Sequence, residues 1–222
     1  MPAFPSLIET QDGSHSLYSE AFGVSYHSKY GAIQESRHVF IHAGLGQLLP
    51  TRERVRVLEM GFGTGLNAYL TLLVGQSSKK HFFYETVEPL PVPLEQVAYL
   101  NYPTLLGGSP ADFLALHHSN WNEVVPIGTN FQLLKWHATI QEAPLSGQFD
   151  LVFYDAFAPS SQPELWEAPV LGKIFAAMAS GGVFVTYCAK GVVKRCLRDL
   201  GFTVEGVPGP PGKREMIRAN KP

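Results

Sequence analysis

The run VRVLEMGFGTGLN, residues 55–67, constrains the fold of this chain more than any other segment. An apolar, strand-like stretch leads to the acidic residue Glu59. Three glycines follow at alternate positions, Gly61, Gly63 and Gly65, before an apolar segment with helical character. Glycine permits the backbone angles of a tight turn and lets a ligand approach main-chain N–H groups. The pattern therefore predicts a strand, a turn and a helix, the first unit of an open α/β sheet.

This turn differs from the pyrophosphate-binding turns of other α/β proteins in both spacing and charge. A dinucleotide fingerprint reads G-x-G-x-x-G and places the pyrophosphate at a helix N-terminus. Here the spacing is G-x-G-x-G, and an acid stands two residues before the first glycine. That carboxylate opposes a pyrophosphate and suits a ligand that carries an ammonium and a sulfonium group. We therefore predict an S-adenosylmethionine site, rather than a purely structural turn, formed by Glu59, Gly61, Phe62, Gly63, Thr64, Gly65 and Asn67.

Strand-like and helix-like segments alternate through the rest of the chain. The predicted strands are residues 55–58, 82–87, 131–136, 149–154, 182–187, 202–205 and 215–218. The predicted helices are residues 65–74, 93–100, 109–118, 169–179 and 191–200. We expect a mainly parallel seven-stranded sheet flanked by helices, the α/β fold of class I (Rossmann-like) methyltransferases. Residues 51–222 would form this domain. Residues 1–50 would form an N-terminal extension packed on it, with a helix capped by Ser36.

Two acidic residues follow predicted strands, at the sheet edge where ligands bind in such folds. We expect Glu88, at the end of its strand, to accept the ribose hydroxyls of the cofactor; Glu85 lies inside the strand. Asp155 ends another strand and is followed by Phe157 and Pro159. An aromatic ring offers a stacking face for a base, and proline holds a loop without a backbone donor. We therefore predict a substrate site around Asp155.

The bulk properties exclude several classes of protein. The 222 residues are 45% hydrophobic, enough for one α/β domain with a substantial core. No apolar run predicts a membrane span, and the first residues do not resemble a secretory signal. With two cysteines, Cys188 and Cys196, we expect free thiols and a cytoplasmic location. His38 and His42 lie four residues apart, but no third ligand completes a zinc pattern, so we expect no metal.

Charge is distributed unevenly along the chain. The formal net charge is −2, yet residues 190–222 contain eight Lys/Arg and three Asp/Glu. A basic end on an acidic body suits a phosphate backbone, and it equally suits an ordinary solvated helix and tail. Lys190, Lys213 and Arg214 are the residues of this end that we predict to contact substrate.

Several motifs together resemble one family, the methyltransferase domain of the MnmC proteins of tRNA 5-methylaminomethyl-2-thiouridine biosynthesis. The similar segments are YHSKYGAIQESRHVFI, GFGTGLN, DAFAP with PELW, TYCAKGVVKRCL and GKREMIRA, which span nearly the whole chain. GFGTGLN is common among methyltransferases, whereas DAFAP together with GKREM is much more specific. The chain is most similar to the forms that lack an FAD-dependent oxidase domain.

The resemblance implies methyl transfer from S-adenosylmethionine to the exocyclic amine of 5-aminomethyl-(2-thio)uridine at the tRNA wobble position. It implies that Asp155 faces the amine and Phe157 the base, while Tyr26, Ser28 and Glu35 close over the methionine end of the cofactor. The forms that this chain resembles lack the oxidase domain, so another tRNA-modifying enzyme would have to supply the aminomethyl substrate.

Other interpretations stay open at this point. They are an N-methyltransferase that acts on a non-tRNA amine, a module that binds S-adenosylmethionine or RNA without catalysis, and a nicotinamide-dependent oxidoreductase. The chain also departs from the family after the third predicted strand, which ends in WHAT rather than in an aspartate that would meet the adenine amino group. Adenine recognition would then fall to the region of His137 or Thr139.

Overall fold

The computed structural model describes residues 5–222, so the first four residues of the predicted extension lie outside the described residues. The extension contains β1 (Ser6–Glu9), β2 (His15–Ser19), β3 (Val24–Ser25), α1 (Ala32–Ser36), the π-helical turn Arg37–His42 and the 3-10 turn Leu45–Gln47. The remaining elements are β4 (Arg54–Met60), α2 (Leu66–Ser78), β5 (His81–Val87), α3 (Leu94–Val97), α4 (Tyr102–Leu106), α5 (Pro110–His118), β6 (Val124–Pro126), β7 (Phe131–Trp136), β8 (Phe149–Tyr154), the 3-10 turn Pro163–Trp166, α6 (Ala168–Ala177), β9 (Met178–Thr186), α7 (Gly191–Asp199), β10 (Thr203–Pro208) and β11 (Glu215–Asn220).

The main sheet has, within residues 5–222, eight strands in the order β10-β11-β9-β8-β4-β5-β7-β6. The central strands β9, β8, β4, β5 and β7 are parallel, and the pairs at both edges are antiparallel. The predicted α/β class with a mainly parallel sheet is therefore confirmed. The seven predicted strands are all present, and β6 is an addition that pairs with β7. It has only three residues, two of them exposed, which is too short for a periodic pattern to be predicted from sequence.

The order of the strands determines where a ligand can bind. From β4, the chain continues outward through β5 and β7 on one side, and then returns to β8 and β9 on the other. Ligands of open α/β sheets bind beyond the carboxyl ends of the strands at such a reversal. Alternate residues of β4 pack in opposite directions: Val57 faces the core under α2, whereas Leu58 faces the core under α6 and α7. The strand tips are thus held rigidly on both faces.

The N-terminal extension folds differently from the prediction. Its first strands form a small antiparallel sheet, β1-β2-β3. Helix α1 begins after Gly31, so the predicted cap at Ser36 is wrong. The Ser14 hydroxyl accepts a bond of 3.1 Å from the Ala32 N–H, and the Asp12 carboxylate accepts one of 3.0 Å from the Gln34 N–H. These side chains come from a turn about 20 residues upstream, and a local sequence pattern cannot reveal such caps.

Among the described residues, no helix is long and apolar enough to cross a membrane. No group of three or more His, Cys, Asp and Glu side chains in residues 5–222 is placed to hold a metal ion. Cys188 and Cys196 are free thiols, as predicted.

Candidate active site

A cavity of about 500 Å³ lies at the carboxyl ends of β4, β5 and β8. This volume is within the usual range of sites that hold a small ligand. Of the residues predicted from sequence, its wall contains Tyr26, Gly61, Phe62, Gly63, Thr64, Asn67, Glu88, Thr139, Asp155 and Phe157. The strand order therefore brings together three motifs that are separated by up to about 90 residues in the chain.

The glycine turn forms one wall of the cavity. At two of its glycines, any other residue would be strained and would clash with a neighbouring ring. Gly63 has a φ of +50°, and a Cβ there would lie 3.2 Å from the ring of Tyr26. Gly65 has a φ of +71° and precedes α2; a Cβ there would lie 2.6 Å from Nε2 of His117. An L side chain is strained at such φ angles and would also displace a neighbouring ring. Both backbone geometry and close packing thus require glycine.

Glu88 stands at the tip of β5, opposite this turn. Its carboxylate accepts hydrogen bonds from the N–H groups of Gly63, at 3.0 Å, and Leu90, at 2.8 Å. Burial raises the pKa of Glu88, and these backbone bonds oppose the shift. Glu85, in contrast, accepts a bond of 2.8 Å from the indole N–H of Trp136 and does not line the cavity. Glu88 is therefore the acidic residue of β5 that a ligand in this cavity can reach.

Below the turn lies a cluster of buried polar atoms that make no well-formed hydrogen bond among the described residues, although Asn67, Thr86 and Tyr84 lie beside the Glu59 carboxyl. These atoms are both carboxylate oxygens of Glu59, Oδ1 of Asn67, the hydroxyl of Tyr84 and Oγ1 of Thr86. Burial, followed by the nearby charge of Asp155, raises the pKa of Glu59 well above its usual range, while the side chains of Asn67, Thr86 and Tyr84 oppose the shift. Buried polar groups are nearly always paired in folded proteins, so this cluster has the character of a site for water or for a ligand cation. The residues present thus fit a cofactor that carries an ammonium group.

Asp155 follows β8 and points toward the start of α2. Its Oδ2 accepts a hydrogen bond of 2.8 Å from Nδ2 of Asn67. Burial, followed by the charge of Glu35, raises the pKa of Asp155 well above its usual range, while the Asn67 bond and the charge of Lys213 oppose the shift. A carboxylate with a raised pKa is suited to accept a proton near neutral pH.

Aromatic rings from two distant segments cover the cavity beside Asp155. The centroid of the Phe157 ring lies 5.0 Å from that of Phe22 and 5.2 Å from that of Tyr26. The Trp166 indole N–H donates a bond of 2.8 Å to the Phe157 carbonyl and fixes the loop. Burial, with a smaller effect of the charge of Glu88, raises the pKa of Tyr26 to about 12, so this phenol stays neutral. Phe22 was not predicted from sequence, because it lies outside the motif that the resemblance places over the cofactor, which begins at Tyr26.

The other predicted site residues lie outside the cavity wall. Glu59 lies beneath the turn, and Gly65 ends the turn at the start of α2. Pro159 is half-buried in the loop after β8, and Lys190 and Arg214 are exposed. Ser28, Glu35 and Lys213 form a separate group behind Asp155. Oε2 of Glu35 accepts a bond of 2.8 Å from the Ser28 N–H, and its Oε1 lies 2.7 Å from Nζ of Lys213.

The segment after β7 also reaches the cavity. It does so a few residues beyond the strand end at which the family would have an aspartate. Thr139, Ile140, Gln141 and Glu142 line the wall, whereas His137 is exposed and its ring lies 5.5 Å from that of Trp121. The Thr139 hydroxyl donates a bond of 2.8 Å to Glu142, and this bond lowers the pKa of the Glu142 carboxyl. The wall near Glu88 is thus completed by residues 139–142 and not by His137.

Several known proteins are similar to this chain in sequence. A family model described as S-adenosyl-L-methionine-dependent methyltransferase matches residues 126–222. The bifunctional tRNA 5-methylaminomethyl-2-thiouridine biosynthesis protein MnmC of Leptospira borgpetersenii is 33% identical over 90% of this chain. That of Aromatoleum aromaticum is 35% identical over 98% of this chain. The chain covers 32% and 36% of these relatives, so it spans about a third of their length.

Solved structures agree with this match. MNMC2 from Aquifex aeolicus is 26% identical, with a TM-score of 0.77 over 99% of this chain and 72% of that structure. Spermidine synthase from Thermotoga maritima, at 12% identity and a TM-score of 0.56 over 98% of this chain and 71% of that structure, shares the fold alone. The motifs, the cavity and these matches together support a methyltransferase domain of the MnmC type, with S-adenosylmethionine as its cofactor.

Proposed function

We propose that this protein transfers a methyl group from S-adenosylmethionine to the exocyclic amine of 5-aminomethyl-(2-thio)uridine at the wobble position of tRNA. One observation carries the proposal: the carboxylate of Asp155 and the ring of Phe157 line the same cavity as the glycine turn and Glu88. A cofactor held by that turn and an amine held by Asp155 would therefore share a single space. The MnmC relatives supply the acceptor class.

The cofactor, when bound, supplies an electrophilic methyl group. In our proposal the backbone of Gly61 to Gly65 and the amide of Asn67 hold its methionine end, with Glu59 beneath them. Glu88 accepts hydrogen bonds from the ribose hydroxyls, in exchange for one of its present backbone donors. The adenine would be held by Thr139 and its neighbours, which complete the wall on that side.

Asp155 has the task of preparing the amine. An alkylamine has a reference pKa of about 10.4 and is protonated at neutral pH, so its lone pair is blocked. Asp155 can accept the N–H proton and orient the lone pair that this releases. The hydrogen bond from Asn67 to Oδ2 fixes the carboxylate and leaves Oδ1 for the amine. Positioning of the amine in line with the methyl group supplies much of the remaining acceleration.

The surroundings of Asp155 suit a flipped base on a polynucleotide. Phe157, braced by Phe22 and Tyr26, offers an aromatic surface on which the uracil ring can stack. The exposed side chains of Lys190 and Arg214 are free to reach phosphates. The oxidation that yields the aminomethyl group is a different reaction, so we assign it to a separate active site. We also propose a cytoplasmic location, because the substrate tRNA is found there.

Nucleoside mass spectrometry tests the assignment. tRNA from cells that lack this protein should accumulate 5-aminomethyluridine or its 2-thio form and lose the N-methyl product. The purified protein with S-adenosylmethionine should then restore that product. An unchanged nucleoside profile, together with no methylation of this tRNA in vitro, would refute the tRNA assignment and leave an amine of another kind as the acceptor. Methylation of tRNA should also weaken steeply with salt, whereas methylation of a small amine should not.

A further inference from the structure

Lys213 lies on the turn between β10 and β11, yet its side chain points inward. Its Nζ lies 2.7 Å from Oε1 of Glu35 and 3.9 Å from the centroid of the Tyr187 ring. The Glu35 side chain is 9% exposed and is also bonded to the Ser28 N–H. Separation of the pair would leave the Glu35 carboxylate buried without its partner, and an unpaired buried charge is costly. Lys213 therefore connects the C-terminal hairpin to the N-terminal extension behind the active site.

Tyr187 links this ion pair to the residues of the site. Its ring supports the Lys213 ammonium, and its hydroxyl donates a bond of 2.8 Å to the carbonyl of Ala156. Ala156 stands between Asp155 and Phe157, the two residues to which we assign the amine and the base. The pair of Glu35 and Lys213 thus has a mechanical connection to the segment 155–157 through one phenol.

The same pair has an electrostatic connection to Asp155. Glu35 raises the pKa of Asp155, and Lys213 lowers it. The other polar or titratable groups around Asp155 are Asn67 on α2, Glu59 on β4, Tyr84 on β5, and Tyr187 after β9. None of these groups can carry a positive charge: the Asn67 amide is neutral, and Glu59 and the two phenols are neutral when protonated. Lys213 is accordingly the positive charge that opposes Glu35 at this position.

We propose that Glu35 and Lys213 are a positioning pair for residues 155–157, acting on them through Tyr187 and through the balance of charge at Asp155, and that Lys213 does not contact the RNA backbone. This inference rests on the proposed function, because it assigns the pair to the residue that accepts the proton. It also separates Lys213 from Arg214, which follows it on the same turn and is exposed.

Opposite charge changes provide the test. In the full-length protein, Lys213→Met should move the titration of Asp155 to higher pH, and Glu35→Gln should move it to lower pH. Isotope-edited NMR of the aspartate carboxyl carbons, with Asp155→Asn to assign the signal, measures this without any acceptor. The acidic limb of the kcat profile on tRNA should shift in the same two directions. Tyr187→Phe should lower kcat about tenfold through loss of positioning, with no shift in the titration.

Controls separate this role from a general loss of structure. Lys213→Arg should restore the wild-type titration. Arg218→Met removes a charge from another hairpin ion pair, with Glu205, and should leave the titration unchanged. S-adenosylhomocysteine binding reports whether each variant is folded. If Lys213→Met and Glu35→Gln shift the signal in the same direction, or leave it in place, the inference is wrong. A wild-type protein that titrates as expected but does not methylate tRNA refutes the proposed function alone.

Discussion

Nδ2 of Asn67 donates a hydrogen bond of 2.8 Å to Oδ2 of Asp155. Asn67 lies in the first turn of α2, directly after the glycine turn, whereas Asp155 follows β8 on the neighbouring side of β4. One bond therefore joins the part of the site that we assign to the cofactor and the part that we assign to the acceptor amine. It also fixes the carboxylate before any substrate arrives, which reduces the reorganisation that the reaction requires.

The first prediction concerns proton acceptance by Asp155. Asp155→Asn keeps the size of the side chain and an oxygen for the Asn67 bond, but its amide cannot take up a proton. We expect kcat on tRNA to fall at least about 100-fold, in the range that a positioned general base contributes. Affinity for S-adenosylhomocysteine, measured by calorimetry, should stay the same. Turnover at the wild-type rate would show that Asp155 does not accept the proton.

The second prediction concerns the close packing of Gly63 against Tyr26. Gly63→Ala forces an L residue to a φ of +50° and places its Cβ 3.2 Å from the Tyr26 ring. We expect the free energy of unfolding to fall by about 1–2 kcal/mol and cofactor affinity to weaken markedly, because the turn and its cover must move apart.

Gly147→Ala is the matched control for this change. Gly147 has a φ of +77°, with open space where a Cβ would lie. It should lose a similar amount of stability in urea unfolding but no cofactor affinity. Equal losses of affinity in both variants would show that the contact with Tyr26 is irrelevant to binding.

The site residues whose positions could be predicted from sequence are those that belong to a short local pattern. The alternation of apolar strand, acid and glycines specified the turn, and Asp155 with Phe157 stood out because both follow a buried strand directly. Glu88 was preferred to Glu85 because it stands at the strand end, and in the structure Glu88 lines the cavity. For these residues, the position in a βα unit determines the position in space.

What sequence could not predict depends on contacts between distant segments. Phe22 covers the cavity only because the extension folds back over the turn. Ser36 was predicted to cap the helix, whereas the residues that cap it are Ser14 and Asp12. Lys213 belongs to a basic tail that suggested phosphate contacts, but its side chain pairs with Glu35 about 180 residues away in the chain. The direction in which a charged side chain points is a property of packing and not of composition.

The third prediction concerns the buried carboxyl of Glu59. Between the usual carboxyl pKa of about 4.3 and the raised pKa of Glu59, the folded state keeps a proton that the unfolded state has released. The free energy of unfolding therefore falls as pH rises through that window. Glu59→Gln removes this dependence, and its amide can donate to neighbouring acceptors. We expect the variant to be more stable than wild type by about 1–2 kcal/mol at neutral pH, in urea unfolding, and to bind the cofactor more weakly.

The pH series distinguishes this explanation from a general effect of charge. The difference in stability should shrink toward about pH 4, where Glu59 is protonated in both states of the wild type. Glu53→Gln is the control, since that side chain is 85% exposed and pairs with Lys80 at the surface. It should change stability little at any pH. A Glu59→Gln variant that is less stable at neutral pH would mean that the ionised carboxylate has a partner in the folded protein.

The fourth prediction assigns RNA contact to Arg214 rather than to Lys213. Arg214 is exposed on the hairpin turn, and a phosphate contact would release a counterion when tRNA binds. Arg214→Met should therefore raise KM for tRNA and lower the slope of log affinity against log salt by about one, with kcat unchanged at saturation. Arg54→Met removes an exposed charge at the start of β4, the end of the sheet away from the cavity, and should change neither quantity. Filter binding over a salt series measures both variants, and equal slopes for Arg214→Met and wild type would remove this turn from the RNA interface.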